Sequence, residues 1–396
     1  MSFSDRRAGR VERRGRRLVY GTTSGLSLWA FYPGQLKGMR ERGWNVMAVS
    51  DDDEYLEAVA AREGVGHGSI GMSREISLLR DLTALGQWVV RLGRWRPAVI
   101  NLGTPKAGLL GGLAAKTTRV PRRIYVVHGL RFEGAVGRQR RLLLAMEKLA
   151  IACATHVVVV SPSVGRGLRG AGVKRPLYLI GEGSCNGMDS ESARAICDAV
   201  DVGASRAAFG IQRDAFVVGF VGRLTHDKGL DQLAGALNTL EGRDVRVQLL
   251  AIGDAEAEGA EEILRASGVS ATLTGWVDEP MTYMPLMDVL VLPTKREGYP
   301  LVVLEANAAG VPVITTRATG AVDAVEDTVD GLMVDYGDAD ALADRIEQLV
   351  NSHALRQRLA TAGMHRVRSR FRSDRIWDGL DSIYRGRPST DVRCLP

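Results

Sequence analysis

The sequence predicts an α/β protein of two parallel-sheet domains, and three observations predict it. Short β-branched runs alternate with longer helical stretches along almost the whole chain. Those runs are apolar nearly throughout instead of alternating, as strands covered on both faces require. The pattern pauses once, over the small and polar stretch 181–210, "GEGSCNGMDSESARAICDAVDVGASRAAFG", and then restarts. A chain of 396 residues is long enough to bury two such cores.

Before the pause, "RLVYGTT", "WNVMAVS", "AVINLGT", "RIYVVHG", "HVVVVSPS" and "PLYLIGEG" read as strands. Between them "LSLWAFYPGQLKGMRERG", "SLLRDLTALGQWVVRLGRW" and "AGLLGGLAAKTTRV" read as helices. After it come the strands "FVVGFVG", "VRVQLLAIG", "ATLTGW", "DVLVLP" and "VPVITT", with helices "LDQLAGALNTL", "PMTYMPLM" and "PLVVLEANAAG" among them. Residues 340–371 read as a helical pair, and "SDRIWDGLDSIYRG" as a last amphipathic helix. The divisions are a basic arm over 1–17, an N-terminal domain over 18–185, and a C-terminal domain over 186–373. The segment 374–396 is expected to pack back on the N-terminal domain.

Composition narrows the functional class. Apolar residues at 45% and charged residues at 25% belong to an ordinary globular protein, not a disordered or fibrous one. Part of the net charge of +6 is local: Arg6, Arg7, Arg10, Arg13, Arg14, Arg16 and Arg17 precede the first strand. Such an arm is either a solvated tail or an attraction to an anionic membrane surface. No aromatic-basic interleaving supports nucleic acid as a partner. The four cysteines show no metal-ligand spacing and read as free thiols. No apolar run reaches the ~18 residues of a spanning helix, and the arginine-rich start lacks a signal peptide's apolar core. The expected location is cytoplasmic, peripheral at the inner face of the plasma membrane.

The chemistry concentrates in "TKREGYPLVVLEANAAGVPVITT", which sets Glu297 just before an apolar segment and Glu305 inside it. "DVLVLP" ends a strand, and ligands of open α/β sheets gather beyond strand carboxyl ends. Pro300 suits the first helical position, where its missing N–H costs nothing. The free N–H groups of a helix start there suit an anion. Carboxylates beside a phosphate repel it, so Glu297 and Glu305 are expected to accept hydrogen bonds from hydroxyls. Upstream, "GFVGRLTHDKGL" turns from strand to helix through Gly222, Arg223, Lys228 and Gly229. Two fixed cations at that spacing can clamp a diphosphate and steady charge on a leaving phosphate. A nucleotide-sugar carries hydroxyls on both sides of such a diphosphate.

With "GRLTHDKG", "GDAE", "GW" and "EGYPLVVLEANAAGVPVI" in that order, the chain resembles the retaining glycosyltransferases of family 4, with the GT-B fold. The resemblance runs from about Leu18 to Arg385 and includes the family's Glu-x7-Glu motif in Glu297 and Glu305. It implies two Rossmann-like domains facing across a cleft, with the C-terminal helix crossing back. It implies that Arg223 and Lys228 bind the donor diphosphate beside Gly222. Glu297 contacts the donor sugar, and Gly298, Tyr299, Pro300 and Leu301 meet sugar and phosphate. Glu305 holds the ribose, with Gly275 and Trp276 beside the base. His128, in "VVHGLRFEG", faces the reacting sugar. The family uses no metal, and its reaction is drawn as front-face attack in which the leaving phosphate takes the acceptor's proton.

Within the family, "NLGTPKAGLLGGLAA", "YVVHGLRFEG" and "GEGSCNGMD" resemble a bacterial branch that builds capsule, exopolysaccharide or lipid-linked glycans. Candidate acceptor residues are Thr22, Ser24, Lys106, Arg131 and Asn186, with Lys106 placed near a helix start for a second anion. "GRQRRLLLAMEKLAIA" is either an interfacial helix or a core helix with a charged outer face. The loop Gly21-Thr22-Thr23-Ser24-Gly25 departs from the glycine pair common after the family's first strand.

Other signals carry less. "GRGLRG" imitates a dinucleotide fingerprint, but Ser161-Pro162 already starts its helix, so the glycines fall inside it. "DDDEY" reads as a helix start, where acids are favoured, before it reads as a metal site. Cys185 reads as a small buried residue of the hinge. The expected activity is transfer of an N-acetylhexosamine or hexose from a UDP-sugar to a lipid-linked or glycan acceptor, with no cofactor. A UDP-sugar epimerase or phosphorylase of the same fold, and a non-catalytic nucleotide-sugar-binding protein, are the rival readings.

Overall fold

The computed structural model describes residues 15–73 and 77–396. The arginines Arg6 to Arg14 of the basic arm lie outside the described residues. The chain forms two compact units, Met1–Gly187 with Ser373–Pro396, and Met188–Arg372. It therefore crosses between them at Gly187–Met188 and again at Arg372–Ser373.

The strands run β1 (Arg17–Gly21), β2 (Asn45–Ser50), β3 (Gly66–Ser69), β4 (Val99–Leu102), β5 (Arg122–Val127), β6 (His156–Val159) and β7 (Leu177–Ile180) in the first unit. The second unit holds β8 (Phe216–Val221), β9 (Val247–Ile252), β10 (Ser270–Leu273), β11 (Val289–Leu292), β12 (Val313–Thr316) and β13 (Leu332–Val334). A final strand, β14 (Val392–Leu395), returns to the first. The first sheet is ordered β14-β7-β6-β5-β4-β1-β2-β3 and the second β10-β9-β8-β11-β12-β13. Among the described residues the named strands pair in parallel except β14 on β7. The α/β class and the two-sheet division are as the sequence predicts. Three strands are not legible: β3 (GHGS) and β14 (VRCL) are short edge strands without an apolar run, and β13 (LMV), though apolar and buried, is only three residues long.

Each sheet has one switch point. In the first unit the chain steps from β1 outward through β2 and β3, then resumes on the other side of β1 with β4. In the second it steps from β8 through β9 and β10, then resumes beside β8 with β11. Because the strands are parallel, the loops after β1 and β4, and those after β8 and β11, open at the carboxyl edges where α/β sheets bind ligands.

Right-handed crossovers put the helices of the two arms on opposite faces. One face of the first sheet carries Val19, Ile100, Leu102, Tyr125 and Val127, packed with Trp88 and Leu92 of the helix Leu78–Trp95. The other carries Tyr20 and Asn101, which sit opposite each other on β1 and β4. There the Tyr20 hydroxyl lies 3.0 Å from that of Tyr384, and the Asn101 amide donates to Tyr384. Tyr384 belongs to the last helix, Ser373–Arg385, so that helix docks on the first unit. Trp377 adds an Nε1 donation of 2.8 Å to Asn186. In the second unit, Phe220, Leu249, Val291 and Ile314 pack against Leu233, Leu237 and Ile346.

Two helical expectations need correction. Residues 26–43 form two helices, Gly25–Phe31 and Gln35–Glu41, because Pro33 lacks the donor and Gly34 takes φ +74°. Residues 280–286 are 3-10 rather than α, with Pro285 inside. Asp53 caps the helix Glu54–Glu63 by accepting from the Leu56 N–H, so "DDDEY" starts a helix. Ser161 caps Pro162–Gly170 in the same way, which places "GRGLRG" within that helix.

Candidate active site

The carboxyl edge of the second sheet gathers most of the residues singled out in the sequence. Gly222, Arg223 and Lys228 follow β8, and Glu297, Gly298, Tyr299 and Pro300 follow β11, its neighbour in the sheet. Asp227 ties the two loops together. Its carbonyl accepts from the Lys295 N–H at 2.9 Å and the Thr294 hydroxyl at 3.2 Å. Its carboxylate accepts from the Thr225 hydroxyl at 2.6 Å and meets Arg296 at 3.1 Å. Burial pushes that carboxyl's pKa upward, but Thr225, Arg296, Lys228 and Arg223 outweigh it and hold the group below the usual range. Asp227 was not found in the sequence, although it lies inside "LTHDKG" between the two predicted cations.

Lys228 and Glu297 are joined by a short ion pair from Nζ to Oε1, both side chains largely buried. Arg223 pairs with Glu256 at 2.6 Å, and both stay substantially exposed. Each predicted phosphate cation thus rests on a carboxylate. The exposed pair around Arg223 contributes little to stability and exchanges readily, whereas opening the buried pair leaves a charge in need of a partner.

Glu297 is also held through its backbone. Its N–H donates 2.7 Å to the Thr319 carbonyl, in the loop after β12. Next in that loop, Gly320 has φ +80°, and a Cβ there would come within 2.5 Å of the Glu297 and Gly298 carbonyls. Only glycine fits. The signal was available: Thr319-Gly320 follows "VPVITT" at the edge where the loop after β11 opens.

Leu301 begins the helix Leu301–Ala309, and Pro300 is its N-cap in extended conformation, φ −72° and ψ 105°. This corrects by one residue the expectation that Pro300 is the first helical position. Glu305 lies one turn in, and burial, with a smaller contribution from Glu279, raises its pKa to about 7. On the far side, Gly275 takes φ +69° and its carbonyl receives the Gly253 N–H at 2.9 Å. Trp276 follows, 42% exposed, with its N–H on Asp254 at 3.0 Å.

The first unit has an edge of its own. Thr23 and Thr104, in the loops after β1 and β4, join through their hydroxyls at 2.7 Å, and the Thr23 N–H donates to Thr104 at 2.9 Å. Beside them His128 directly follows β5. Its Nε2 lies 2.8 Å from the Tyr32 hydroxyl, and Phe31 stacks on its ring at 4.8 Å. Burial lowers its pKa to about 3, so it is neutral at any working pH. Gly103 makes room, since a Cβ there would lie 2.0 Å from the Tyr32 hydroxyl. Sequence reasoning missed Phe31 and Tyr32 because it ran one helix through them.

The candidate acceptor residues fare differently from one another. The Thr22 hydroxyl donates to the Ser24 carbonyl at 2.8 Å, and the Ser24 hydroxyl lies 3.0 Å from that of Ser27. Arg131 is exposed on the short turn Arg131–Gly134. Lys106, expected as a cation open to an anion, is buried and paired with Asp81 at 2.8 Å. The Asn186 side chain bridges Pro33, Gln35 and Trp377 at 2.8, 3.0 and 2.8 Å, which ties down the last helix. Cys185 is buried near the Phe31 carbonyl.

Comparison with known proteins matches residues 33–180 to the "Glycosyl transferase 4-like domain" and residues 215–352 to "Glycosyl transferases group 1". The chain is 34% identical over 357 residues to the capsular polysaccharide biosynthesis glycosyltransferase CapM of Staphylococcus aureus, 89% of this chain and 92% of that one. It is 24% identical over 291 residues to an Escherichia coli enzyme, UDP-Gal:alpha-D-GlcNAc-diphosphoundecaprenol alpha-1,3-galactosyltransferase, 72% of this chain and 74% of that one. The crystal structure of Anabaena HepE with UDP and glucose shares the fold at TM-score 0.77 and 19% identity, over 93% of this chain and 99% of that one. Kinship along nearly the full length of CapM leaves no room for a chance likeness of motifs, and the chain belongs to the family 4 glycosyltransferases of GT-B fold that serve bacterial polysaccharide biosynthesis.

Proposed function

We propose that the chain is a retaining, metal-independent hexosyltransferase that moves an N-acetylhexosamine or related hexose from a UDP-sugar to a hydroxyl of a lipid-linked or glycan acceptor. The observation that carries this reading is the partly buried Lys228–Glu297 pair at the switch point between β8 and β11. A donor diphosphate draws Lys228 and Arg223 from their carboxylates. Glu297, released, accepts hydrogen bonds from the sugar, and Glu305 accepts from the ribose. HepE holds UDP and glucose on the same fold, and the Escherichia coli relative's name states a UDP-sugar donor and a diphosphoundecaprenol acceptor.

In the reaction, the bond from the anomeric carbon to the β-phosphate oxygen breaks as the acceptor oxygen bonds to that carbon on the same face. The acceptor's proton passes to the leaving phosphate oxygen. Arg223 and Lys228 stabilise the charge that develops there. Neutral His128 serves as a hydrogen-bonding partner of the sugar and not as an acid. Two fixed cations supply what a metal would otherwise supply, so activity should survive a chelator; loss of activity restored by a divalent cation would overturn metal independence.

Lys228→Ala and Glu297→Ala should each nearly abolish transfer while circular dichroism and melting remain those of a folded protein. Near-wild-type rates in either would remove the assignment. Free UDP appearing only when acceptor is present separates transfer from epimerisation and from simple binding. A panel of nucleotide-sugars ranked by thermal stabilisation identifies the donor before the acceptor is known.

A further inference from the structure

The second unit holds an open cavity of about 710 Å³ that the transfer reaction does not use. That volume suits a small ligand. One wall is the outer side of the helix His353–Arg370, and the other is the turn that follows the short helix Ala321–Ala324. None of the residues assigned above to the donor lines it.

The helical wall has two ends of different chemistry. Gln357, Arg358 and Thr361 bring amide, guanidinium and hydroxyl groups to one. His365, Arg366 and Arg370 bring N–H donors to the other, with the two arginines neighbours at four-residue spacing. Leu359, Ala360, Gly363 and Val367 take the buried side of the helix. From the turn come the Glu326 carboxylate and the apolar Val329, 45% exposed.

The charges at the second end are not balanced. Arg366 meets the Asp330 carboxylate at 3.1 Å, and its buried Nε has a proton that no group among the described residues accepts. Arg370 stands exposed. An anion at this end gains two guanidinium groups and the His365 ring as donors. Beside it, the Glu326 carboxylate and the Thr361 hydroxyl suit the hydroxyls of a sugar; a second phosphate would be repelled by Glu326. No Phe, Tyr or Trp lines the cavity for a nucleobase to stack on.

The same arginines hold the turn to the helix. Arg366 donates to the Asp323 and Ala324 carbonyls at 2.9 and 2.8 Å. Arg358 donates 2.9 Å to the carbonyl of Thr328, a β-branched residue in the left-handed region at φ +64°. Gly320, which sets the Glu297 backbone, immediately precedes Ala321–Ala324. Arg366 also lies 5.3 Å from the centre of the Phe371 ring, and Phe371 packs at 5.3 Å on Tyr299. Both routes from Arg366 end at the loop after β11.

We propose that this cavity binds a small sugar phosphate, its phosphate on Arg366, Arg370 and His365 and its hydroxyls on Gln357, Thr361 and Glu326, and that its occupancy tightens donor binding. The ligand bridges the helix and the turn, and so steadies the segment that sets Gly320 against Glu297. The binding site stands independently of the proposed function; the coupling rests on that reading's placement of the donor at Glu297.

The test titrates the full chain by calorimetry with glucose 6-phosphate, glucose and inorganic phosphate as probes. Glucose 6-phosphate should bind more tightly than inorganic phosphate, and glucose should not bind measurably. His365→Gln with Arg370→Gln should weaken glucose 6-phosphate about tenfold or more. Stabilisation by UDP should be unchanged in that variant, which shows that it folds. Lys228→Gln should leave glucose 6-phosphate binding unchanged, because a phosphate held by the donor clamp would be lost with that residue. With glucose 6-phosphate present, UDP should bind about fivefold tighter to wild type and no tighter to the cavity variant. Binding kept in the cavity variant and lost in Lys228→Gln overturns the site, as does no binding of glucose 6-phosphate at all. Equal binding of inorganic phosphate overturns the sugar phosphate as ligand, and an unchanged UDP affinity overturns the coupling. Absence of UDP binding in every form, wild type included, would strike the proposed function and leave the titration of the cavity standing.

Discussion

The edge after β1 and β4 is closed mainly by hydroxyls and rings, Thr23 on Thr104 and His128 between Tyr32 and Phe31, with the Lys106–Asp81 ion pair at the start of the helix after β4. The edge after β8 and β11 is closed by ions: Asp227 on Arg296, and Lys228 on Glu297. The two sheets share one strand order about their switch points, so the fold does not dictate the difference. Under the proposed function the ligand does. A diphosphate would need fixed positive charge with water excluded around it, and carboxylates would hold those cations in place until it arrives. A neutral hydroxyl acceptor would need hydrogen-bonding groups that carry no charge.

The largest expected effect breaks the ionic edge. Lys228→Gln or Glu297→Gln should lower kcat/KM at least about a hundredfold, and the double variant should lose little more, because the pair acts as a unit. Additive losses in that cycle would show two independent residues. Gly320→Ala comes next. Its Cβ collides with the Glu297 backbone, so donor KM should rise about tenfold or more with the fold retained. An unchanged KM would mean that the loop after β12 does not set Glu297.

Tyr32→Phe tests the neutral edge. Loss of the hydrogen bond to Nε2 should cost about 1 kcal/mol, roughly a factor of five in kcat, and leave donor KM unchanged. A larger effect on donor KM than on kcat would assign Tyr32 to the wrong substrate. Between pH 5.5 and 8, wild-type kcat should show no inflection from His128, whose pKa lies near 3. An inflection near 6.5 that vanishes in His128→Gln would contradict its neutral role.

The smallest effect concerns Glu305. Its folded pKa of about 7 exceeds the unfolded value of 4.5, so the folded protein holds the extra proton between them. Stability therefore falls as pH rises from 4.5 to 7 and is level above that. Glu305→Gln should raise the melting temperature at pH 8 by about 2 °C or more while weakening UDP stabilisation. For wild type, UDP affinity should decline below pH 7 as the ribose ligand is protonated. A flat pH response would remove Glu305 from the ribose.

The same contrast explains what could be read in advance. Arg223, Lys228, Glu297 and Glu305 announce themselves because charge next to apolar strand ends has few other uses. Phe31, Tyr32 and Thr104 do not, since aromatic and hydroxyl residues near strand ends usually serve packing. Their role appears only when the bend at Pro33 turns the rings onto His128. At Lys106 and Asn186 a helix start and a hinge suggest ligands, and the structure adds partners remote in sequence, Asp81 and Trp377, that the sequence does not announce. Among strands, buried β4 and β11 show as apolar runs, whereas edge strand β3, with its histidine and glycines, has no such pattern to show.

The Met188 N–H donates 2.7 Å to the Phe371 carbonyl, so entry and exit of the second unit lie side by side and the last helix returns to the first. Removal of the segment after Arg372 would therefore leave the second unit's sheet and helices whole, while stripping Trp377 and Tyr384 from the first.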